Sequence, residues 1–117
     1  MREITTAEFK DEIFDFMKKS VFKLKGNKPV IIDFKAEWCG PCKMVSPILE
    51  ELQEEYKDQI DIFKVDVDNE HEIARSFGVR SIPSMLFAPI EGDPQMSVGT
   101  KPKSALEDAI HDVLKVG

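Results

Sequence analysis

The chain contains few of the residues that build metal sites, disulfide scaffolds or membrane spans. Its 117 residues include two cysteines, two histidines, one tryptophan and one tyrosine. Two cysteines are too few for a secreted disulfide scaffold, and a structural zinc site requires about four ligands. No apolar run approaches the roughly 20 residues of a transmembrane helix, and no signal-peptide pattern is present. We therefore expect a cytoplasmic protein that binds neither a metal nor a membrane.

Basic residues are also in the minority. The chain has 16 lysines and arginines against 22 acidic residues, a net charge of −6. An acidic protein has no general attraction for nucleic acid, so we expect no nucleic-acid partner. The local exception is a basic stretch within residues 18–28, formed by Lys18, Lys19, Lys23, Lys25 and Lys28. We interpret this stretch as a solvated connector in preference to a docking patch for a partner.

The two cysteines, Cys39 and Cys42, lie three positions apart in a Trp-Cys-Gly-Pro-Cys-Lys segment. Helical residues at this spacing have Cβ atoms roughly 5–6 Å apart, so a small adjustment can join the two sulfurs. Pro41 suits a first helical turn, and the free amides and dipole of that turn favour a thiolate at Cys39. The segment predicts a redox couple. Half of a metal site and a structural disulfide are the alternatives, but His71 and His111 are isolated and expected at the surface.

The first element is predicted to be a helix that begins with a capping box at Thr5 and Glu8. Its apolar face consists of Phe9, Ile13, Phe16 and Met17. The apolar spacing decays near Ser20, and residues 21–28 read as an extended or looped connector.

Strands and helices alternate along the rest of the chain. Strands are predicted at residues 30–34, 60–67, 84–88 and 96–98, and a final helix from about Lys103. Pro47 should bend the helix that follows the cysteines, while Asn69 should cap the next helix and Gly78 should end it. The order predicts an α/β fold in which a central mixed sheet of four to five strands is flanked by about four helices.

Five segments of the chain resemble the thioredoxin family in their order and spacing. They are residues 32–34, 36–43, 64–66, 81–84 and 98–99. The resemblance covers about residues 28–117, and residues 1–27 are interpreted as an N-terminal helix and variable connector of the same single domain, residues 1–117. It implies a thioredoxin fold and a dithiol–disulfide oxidoreductase that reduces protein disulfides.

Each cysteine can then be given a role. Only a deprotonated sulfur is a nucleophile, so Cys39, expected at the exposed end of the helix, should be the attacking thiolate. Cys42, expected to be more buried, should resolve the mixed disulfide and form the Cys39–Cys42 redox disulfide.

An acid, Asp33, interrupts the first apolar strand. Burial raises the pKa of a carboxyl, which allows proton exchange near neutrality. The resemblance implies that Asp33 takes the proton of Cys42 during resolution, and that Lys64 on the adjacent strand is its partner. The alternative is a carboxylate turned to solvent, which the flanking apolar residues 30–32 and Phe34 disfavour.

The resemblance also implies a cis bond before Pro83, although cis is the minor form, about 5–6% of such bonds in folded proteins. An ordinary trans proline that starts an edge strand is the alternative. In the cis arrangement the backbone of Ile82 can pair with an extended substrate. The implied substrate-binding surface around Cys39 consists of Trp38, Gly40, Pro41, Ile82, Val98 and Gly99.

Two positions depart from the family pattern. Lys35 stands where the family usually has an aromatic residue, and Ser81 replaces a more usual glycine. We interpret Lys35 as a solvent-facing lysine; the alternative is that it raises the positive potential near Cys39.

The resemblance implies no bound cofactor, because the two sulfurs hold the electrons. The expected partners are disulfide-containing proteins and an NADPH-dependent thioredoxin reductase, and a monomer is expected because the groove must remain free. A disulfide oxidase or isomerase is one alternative function. A thioredoxin-fold binding or structural subunit is another, but such a subunit would have lost a cysteine, Asp33 or Pro83, and all are retained.

Overall fold

A five-stranded mixed sheet carries four helices in the computed structural model, which describes residues 1–17 and 23–116. The strands are β1 (Arg2–Glu3), β2 (Val30–Lys35), β3 (Asp61–Asp66), β4 (Ser84–Ala88) and β5 (Gln95–Val98). The helices are α1 (Thr6–Glu12), α2 (Gly40–Glu55), α3 (His71–Ser76) and α4 (Lys103–Asp112). The predicted α/β architecture is confirmed.

The sheet has the order β1-β3-β2-β4-β5, with β2 at its centre. Strands β1, β3 and β2 are parallel, whereas β4 and β5 run antiparallel to their neighbours. All residues of β2 before Lys35 are buried, which accounts for the nearly continuous apolar run of that strand. The register places Asp33 beside Lys64 of β3 and Met85 of β4.

Successive residues of β2 contribute to two separate cores, because side chains alternate between the faces of a strand. Ile32 and Phe34 pack with Phe9 of α1 and Ile73 of α3. On the opposite face, Ile31 packs with apolar residues of α2 and α4, namely Val45, Leu49, Leu52, Leu106 and Ile110. Asp33 and Lys35 are two and four residues from Ile31 and therefore lie on the α2 face of the sheet.

Helix α1 begins as predicted. The side chain of Thr5 accepts a hydrogen bond from the Glu8 amide, and the carboxylate of Glu8 accepts one from the Thr5 amide, so the capping box is confirmed.

The end of α1 differs from the prediction. The helix stops at Glu12 instead of continuing toward Ser20, because the carbonyl of Phe9 accepts bonds from the amides of both Ile13 and Phe14 in a wider turn. Ile13 is buried and Phe16 is half-buried, but Met17, five residues past the helix end, is 65% exposed. The assignment of Met17 to the apolar face was therefore wrong.

Two lysines of the basic stretch bind the ends of helices. The Nζ of Lys25 donates to the carbonyl oxygens of Lys10 (2.7 Å) and Asp11 (3.2 Å) in the last turn of α1. The Nζ of Lys28 donates to the carbonyl of Lys57, just after α2 (3.1 Å). Both cations thus satisfy carbonyl groups that a helix leaves unpaired. Residues 18–22, which include Lys18 and Lys19 and the start of the predicted connector, lie outside the described residues.

The predicted cap of α3 was wrong, and its predicted end is confirmed. The helix begins at His71 with Glu70 as N-cap, because the amides of Asn69 and Glu70 both bind the carbonyl of Asp66 in a preceding turn. Gly78 has a φ of +68°, and the amides of Gly78 and Val79 donate to carbonyls of the last helical turn.

Pro47 lies inside α2, and the bend expected there remains a prediction. None of the helices built from residues 1–17 and 23–116 combines the length and the apolar character needed to cross a lipid bilayer.

Candidate active site

The cysteines lie at the beginning of α2 and are joined in a disulfide, with their Cα atoms 5.3 Å apart. Cys39 is the N-cap of this 16-residue helix, and its Sγ accepts a hydrogen bond from the backbone N–H of Cys42 (3.2 Å). The sulfur of Cys39 therefore occupies the acceptor position at the positive end of the helix dipole. This position favours a thiolate when the disulfide is reduced.

The two cysteines are buried to the same extent, which corrects the prediction of an exposed Cys39. Their exposed fractions are 3% for Cys39 and 4% for Cys42. Ala36, Val67 and Ile82 pack around the pair and cover both residues.

Asp33 is buried, with an exposed fraction of 1%, beneath the active-site loop, residues 36–39, which connects β2 to α2. Burial raises the pKa of its carboxyl from 3.8 to about 6, although the positive charges of Lys35 and Lys64 act in the opposite direction. Its Oδ1 has no hydrogen-bond partner among the described residues. The alternative of a carboxylate turned to solvent is thereby excluded.

A cavity of about 130 Å³ brings together most of the predicted chemistry. It is lined by Asp33, Lys35, Ala36, Glu37, Cys42, Lys43, Ser46 and Lys64. Several water molecules can fit in this cavity, since one water requires about 10–15 Å³. The structure thus places the buried acid, its predicted lysine partner and the second cysteine around one space.

Lys35 does not face solvent as expected; its side chain is 12% exposed. Its Nζ lies 2.7 Å from Glu37 Oε1, 2.9 Å from Glu3 Oε1 and 3.8 Å from Asp66 Oδ2. Burial alone would lower the pKa of Lys35, but its hydrogen bonds to Glu37 and Glu3 outweigh burial and raise it. The lysine is held inward because three carboxylates on different segments surround it.

Trp38 is 70% exposed beside the cysteines, as predicted. Its Nε1 donates to Asp68 Oδ2 (2.7 Å), and the Asp68 amide donates to Asp66 Oδ1 (2.9 Å). These two hydrogen bonds in series, from Trp38 to Asp68 and from Asp68 to Asp66, therefore orient the indole. Asp68 was missed from the sequence, because it follows β3 with no local pattern that links it to Trp38.

The Ile82–Pro83 peptide bond is cis, as the resemblance implied. Gly99 has a φ of +90°, and its amide donates to the carbonyl of Pro83 (2.8 Å), which ties the end of β5 to the proline loop. Val98 is 57% exposed at this point.

An open, largely apolar groove lies next to the cysteines. Its lining consists of Trp38, Val67, Val79, Arg80, Ser81 and Ile82. The structure brings the predicted Trp38 and Ile82 together here and adds Val67, Val79 and Arg80, which sequence reasoning missed. Gly40 and Pro41 are exposed near this groove, whereas Val98 and Gly99 do not line it.

The remaining candidate ligands are separate from one another. His71 is exposed, with Nε2 2.7 Å from the carbonyl of Asp68, and His111 stacks edge-on against Tyr56. Across residues 1–17 and 23–116, no three or more His, Cys, Asp and Glu side chains are grouped so that they could hold a metal ion.

Comparison with known proteins extends these findings. The family model described as Thioredoxin matches residues 2–112. The chain is 44% identical over 109 residues to the thioredoxin of Borreliella burgdorferi, covering 93% of each chain. It is 48% identical over 82 residues to the thioredoxin of Bacillus subtilis, covering 70% of this chain and 79% of the relative.

A third relative, from Mycobacterium leprae, is named bifunctional thioredoxin reductase/thioredoxin. It is 42% identical over 112 residues, which are 96% of this chain but 22% of the relative. Together with the disulfide at the start of α2, these matches show that the chain belongs to the thioredoxin family and is a thioredoxin-type protein-disulfide oxidoreductase.

Proposed function

We propose that this protein reduces disulfides in other proteins, with Cys39 as the nucleophile and Cys42 as the resolving thiol. The observation that carries the assignment is the hydrogen bond from the Cys42 amide to Cys39 Sγ at the N-cap of α2. That donor and the helix dipole favour negative charge on Cys39 over Cys42, which lies inside the first turn.

The proposed reaction has two exchange steps. The Cys39 thiolate attacks one sulfur of the substrate disulfide, forms a mixed disulfide and expels the other substrate sulfur as a thiolate. Cys42 then loses its proton and attacks Cys39 Sγ, which forms the Cys39–Cys42 disulfide and releases the second substrate thiolate. Two electrons pass from the protein to the substrate.

Asp33 is proposed to accept the proton of Cys42. The two residues line the same cavity, and a pKa of about 6 leaves Asp33 mostly ionised at neutral pH yet able to bind a proton. Lys64, its neighbour across the β2–β3 register, is the proposed partner that favours the ionised form.

Substrate is proposed to bind along the apolar groove. Trp38, Gly40 and Pro41 would contact it on one side of Cys39. Ile82 lies two residues before β4 begins, so its backbone is available to pair with an extended segment, while Pro83 positions this loop. Val98 and Gly99 are proposed to contact substrate beyond Pro83, to which Gly99 is hydrogen-bonded.

The protein is further proposed to act in the cytoplasm as a monomeric single domain over residues 1–117, without a bound cofactor. An NADPH-dependent thioredoxin reductase would return the Cys39–Cys42 disulfide to the dithiol. The relative from Mycobacterium leprae, whose name joins a reductase to a thioredoxin, supports this partner.

Trapping of mixed disulfides tests the two cysteine roles. Cys42→Ser should accumulate disulfide-linked adducts through Cys39, because formation continues while resolution is blocked. Cys39→Ser, the matched control, should accumulate none. Adducts are counted on non-reducing gels with a disulfide-containing substrate protein. Equal yields from the two variants would contradict the assignment.

The equilibrium reduction potential of the couple tests the direction of electron flow. It is measured from the fluorescence of Trp38 in thiol–disulfide buffers. A strongly reducing value, near the range of reductants that work against a cytosolic glutathione pool, supports the proposed reductase. A clearly oxidising value would instead assign the protein to disulfide oxidation or isomerisation.

A further inference from the structure

Five charged side chains form a cluster across three neighbouring strands beneath the active-site loop. This charged cluster consists of Glu3, Asp33, Lys35, Lys64 and Asp66. The strand register pairs Lys64 with Glu3 on one side and with Asp33 on the other, and it pairs Lys35 with Asp66. Residues two apart on a strand share a face, so the sign of the charge alternates both along and across the strands.

Two members of the cluster are buried, and a third is held by ion pairs. Asp33 and Asp66 are 1% and 5% exposed, and the ammonium of Lys35 is held by Glu3, Glu37 and Asp66. A buried ammonium without partners would be strongly destabilising, whereas this one is paired on three sides. Its position is therefore defined, unlike that of a lysine free at the surface.

We propose that Lys35 is a positioning residue for the reaction, whose fixed positive charge favours the ionised, proton-accepting form of Asp33 in the cavity shared with Cys42. The proposal rests on the proposed role of Asp33. Lys35 lies two residues from Asp33 on the same strand and face, and both line that cavity. The chain therefore has a second cation for its buried acid, at a position where the family usually has an aromatic residue.

The groups around Asp33 come from several elements. Lys64 faces it from β3, and Cys42, Lys43 and Ser46 line the same cavity from α2. Glu37 lines it from the loop but is bound to Lys35, as is Glu3 of β1. Among the charges that lower the pKa of Asp33, Lys35 acts more strongly than Lys64.

The test is a direct titration of the Asp33 carboxyl by carbon NMR in the full chain, with reduced cysteines. Lys35→Met, which removes the charge and keeps an unbranched side chain, should move the Asp33 midpoint upward by about half a pH unit to one unit. Lys35→Arg keeps the charge and should restore the midpoint. Lys43→Met is the matched control: it removes an exposed lysine from the rim of the same cavity and should leave the midpoint unchanged.

The pH dependence of mixed-disulfide resolution, followed by stopped-flow fluorescence, provides the second readout. Its midpoint should move with that of Asp33 in Lys35→Met. If that variant does not fold, Lys35→Gln, which keeps hydrogen-bond donors for Glu37, replaces it. An unchanged Asp33 midpoint in the neutral variant overturns the proposal, even if thermal stability falls. A moved midpoint with an unmoved rate profile supports the action of Lys35 and contradicts the role of Asp33.

Discussion

The two faces of β2 are both buried, but they contain different chemistry. On the α1 and α3 face, Ile32 and Phe34 are fully buried among apolar side chains. On the α2 face, the apolar Ile31 is followed by Asp33 and Lys35, which point into the cavity below the cysteines. Full burial of a large apolar side chain stabilises a fold by about 1.5–3 kcal/mol, whereas burial of a charge is unfavourable unless the charge is paired. One face of the strand thus stabilises the fold, whereas the other carries the residues of the proposed reaction at some expense of stability.

The largest expected effect comes from the apolar face. Phe34→Ala should lower the free energy of unfolding by about 3–5 kcal/mol, because it removes a fully buried ring and leaves a cavity. Urea denaturation of the oxidised protein measures this loss. Val98→Ala, at an exposed position, is the control and should change it by less than about 0.5 kcal/mol. A similar, small loss for both variants would contradict the role given to this face.

On the α2 face of β2, substitution of Asp33 is expected to raise the free energy of unfolding at neutral and higher pH instead of lowering it. Between pH 3.8 and about 6, Asp33 is protonated in the folded protein but ionised in the unfolded chain, so stability falls as pH rises through this window. A pKa difference of one unit corresponds to about 1.4 kcal/mol, so the ionised Asp33 lowers the free energy of unfolding above pH 6 by about 3 kcal/mol. Asp33→Asn removes this cost and should stabilise the protein at pH 8 by up to that amount, with little change below pH 4. Urea denaturation at pH 8 and at a pH below 4 measures the change in the free energy of unfolding. Equal changes at the two pH values would show that burial of the charge is not the cause.

The same substitution should affect the reaction adversely. Asp33→Asn cannot accept the proton of Cys42, so release of the mixed disulfide should slow by roughly 10²-fold or more, the usual contribution of a positioned general base. Formation of the mixed disulfide by Cys39 should change much less. Rapid-mixing measurements with a disulfide substrate separate the two steps. A resolution rate that is unchanged across pH would remove Asp33 from the mechanism.

The smallest effect concerns the surface near the cysteines. Asp68→Ala removes the acceptor of the Trp38 Nε1 hydrogen bond and should destabilise the fold by no more than about 1 kcal/mol, because both side chains are exposed. The indole should become less ordered, which fluorescence anisotropy of the single tryptophan can detect. His71→Ala is a suitable control, since its contact is with the backbone carbonyl of Asp68 and not with the indole. Equal anisotropy in all three proteins would show that Asp68 does not orient Trp38.

Structural features that depend only on neighbouring residues were predicted correctly from local sequence patterns. The capping box at Thr5, the apolar run of β2 and the glycine end of α3 at Gly78 are decided within a few residues, and the structure has all three. Asp33 was noticed because it interrupts that apolar run, and the resemblance, which draws on distant segments, implied the cis bond at Pro83 that the structure has. Such features were accessible because either neighbouring residues or a recurring motif specify them.

Features that depend on packing between distant segments were missed or wrong. Lys35 was expected in solvent because nothing near it in sequence shows that Glu3 and Asp66 come to surround it. The two-residue strand β1 is too short to carry an apolar period, so only its pairing with β3 reveals it. The burial of Cys39 likewise depends on Ile82, more than forty residues away in the sequence.

The hydrogen bond between the Cys42 amide and Cys39 Sγ has a consequence for evolution and engineering of this chain. In the disulfide the sulfur of Cys39 caps α2 as a neutral group, and after reduction the same position would be occupied by an anion. Folding and reduction therefore form a thermodynamic cycle, and a substitution that stabilises the capping anion more than the capping disulfide raises the reduction potential in proportion to that difference in free energy. For this two-electron couple about 30 mV corresponds to 1.4 kcal/mol, so modest substitutions in the first turn of α2 can change the reduction potential of the protein while both cysteines are kept.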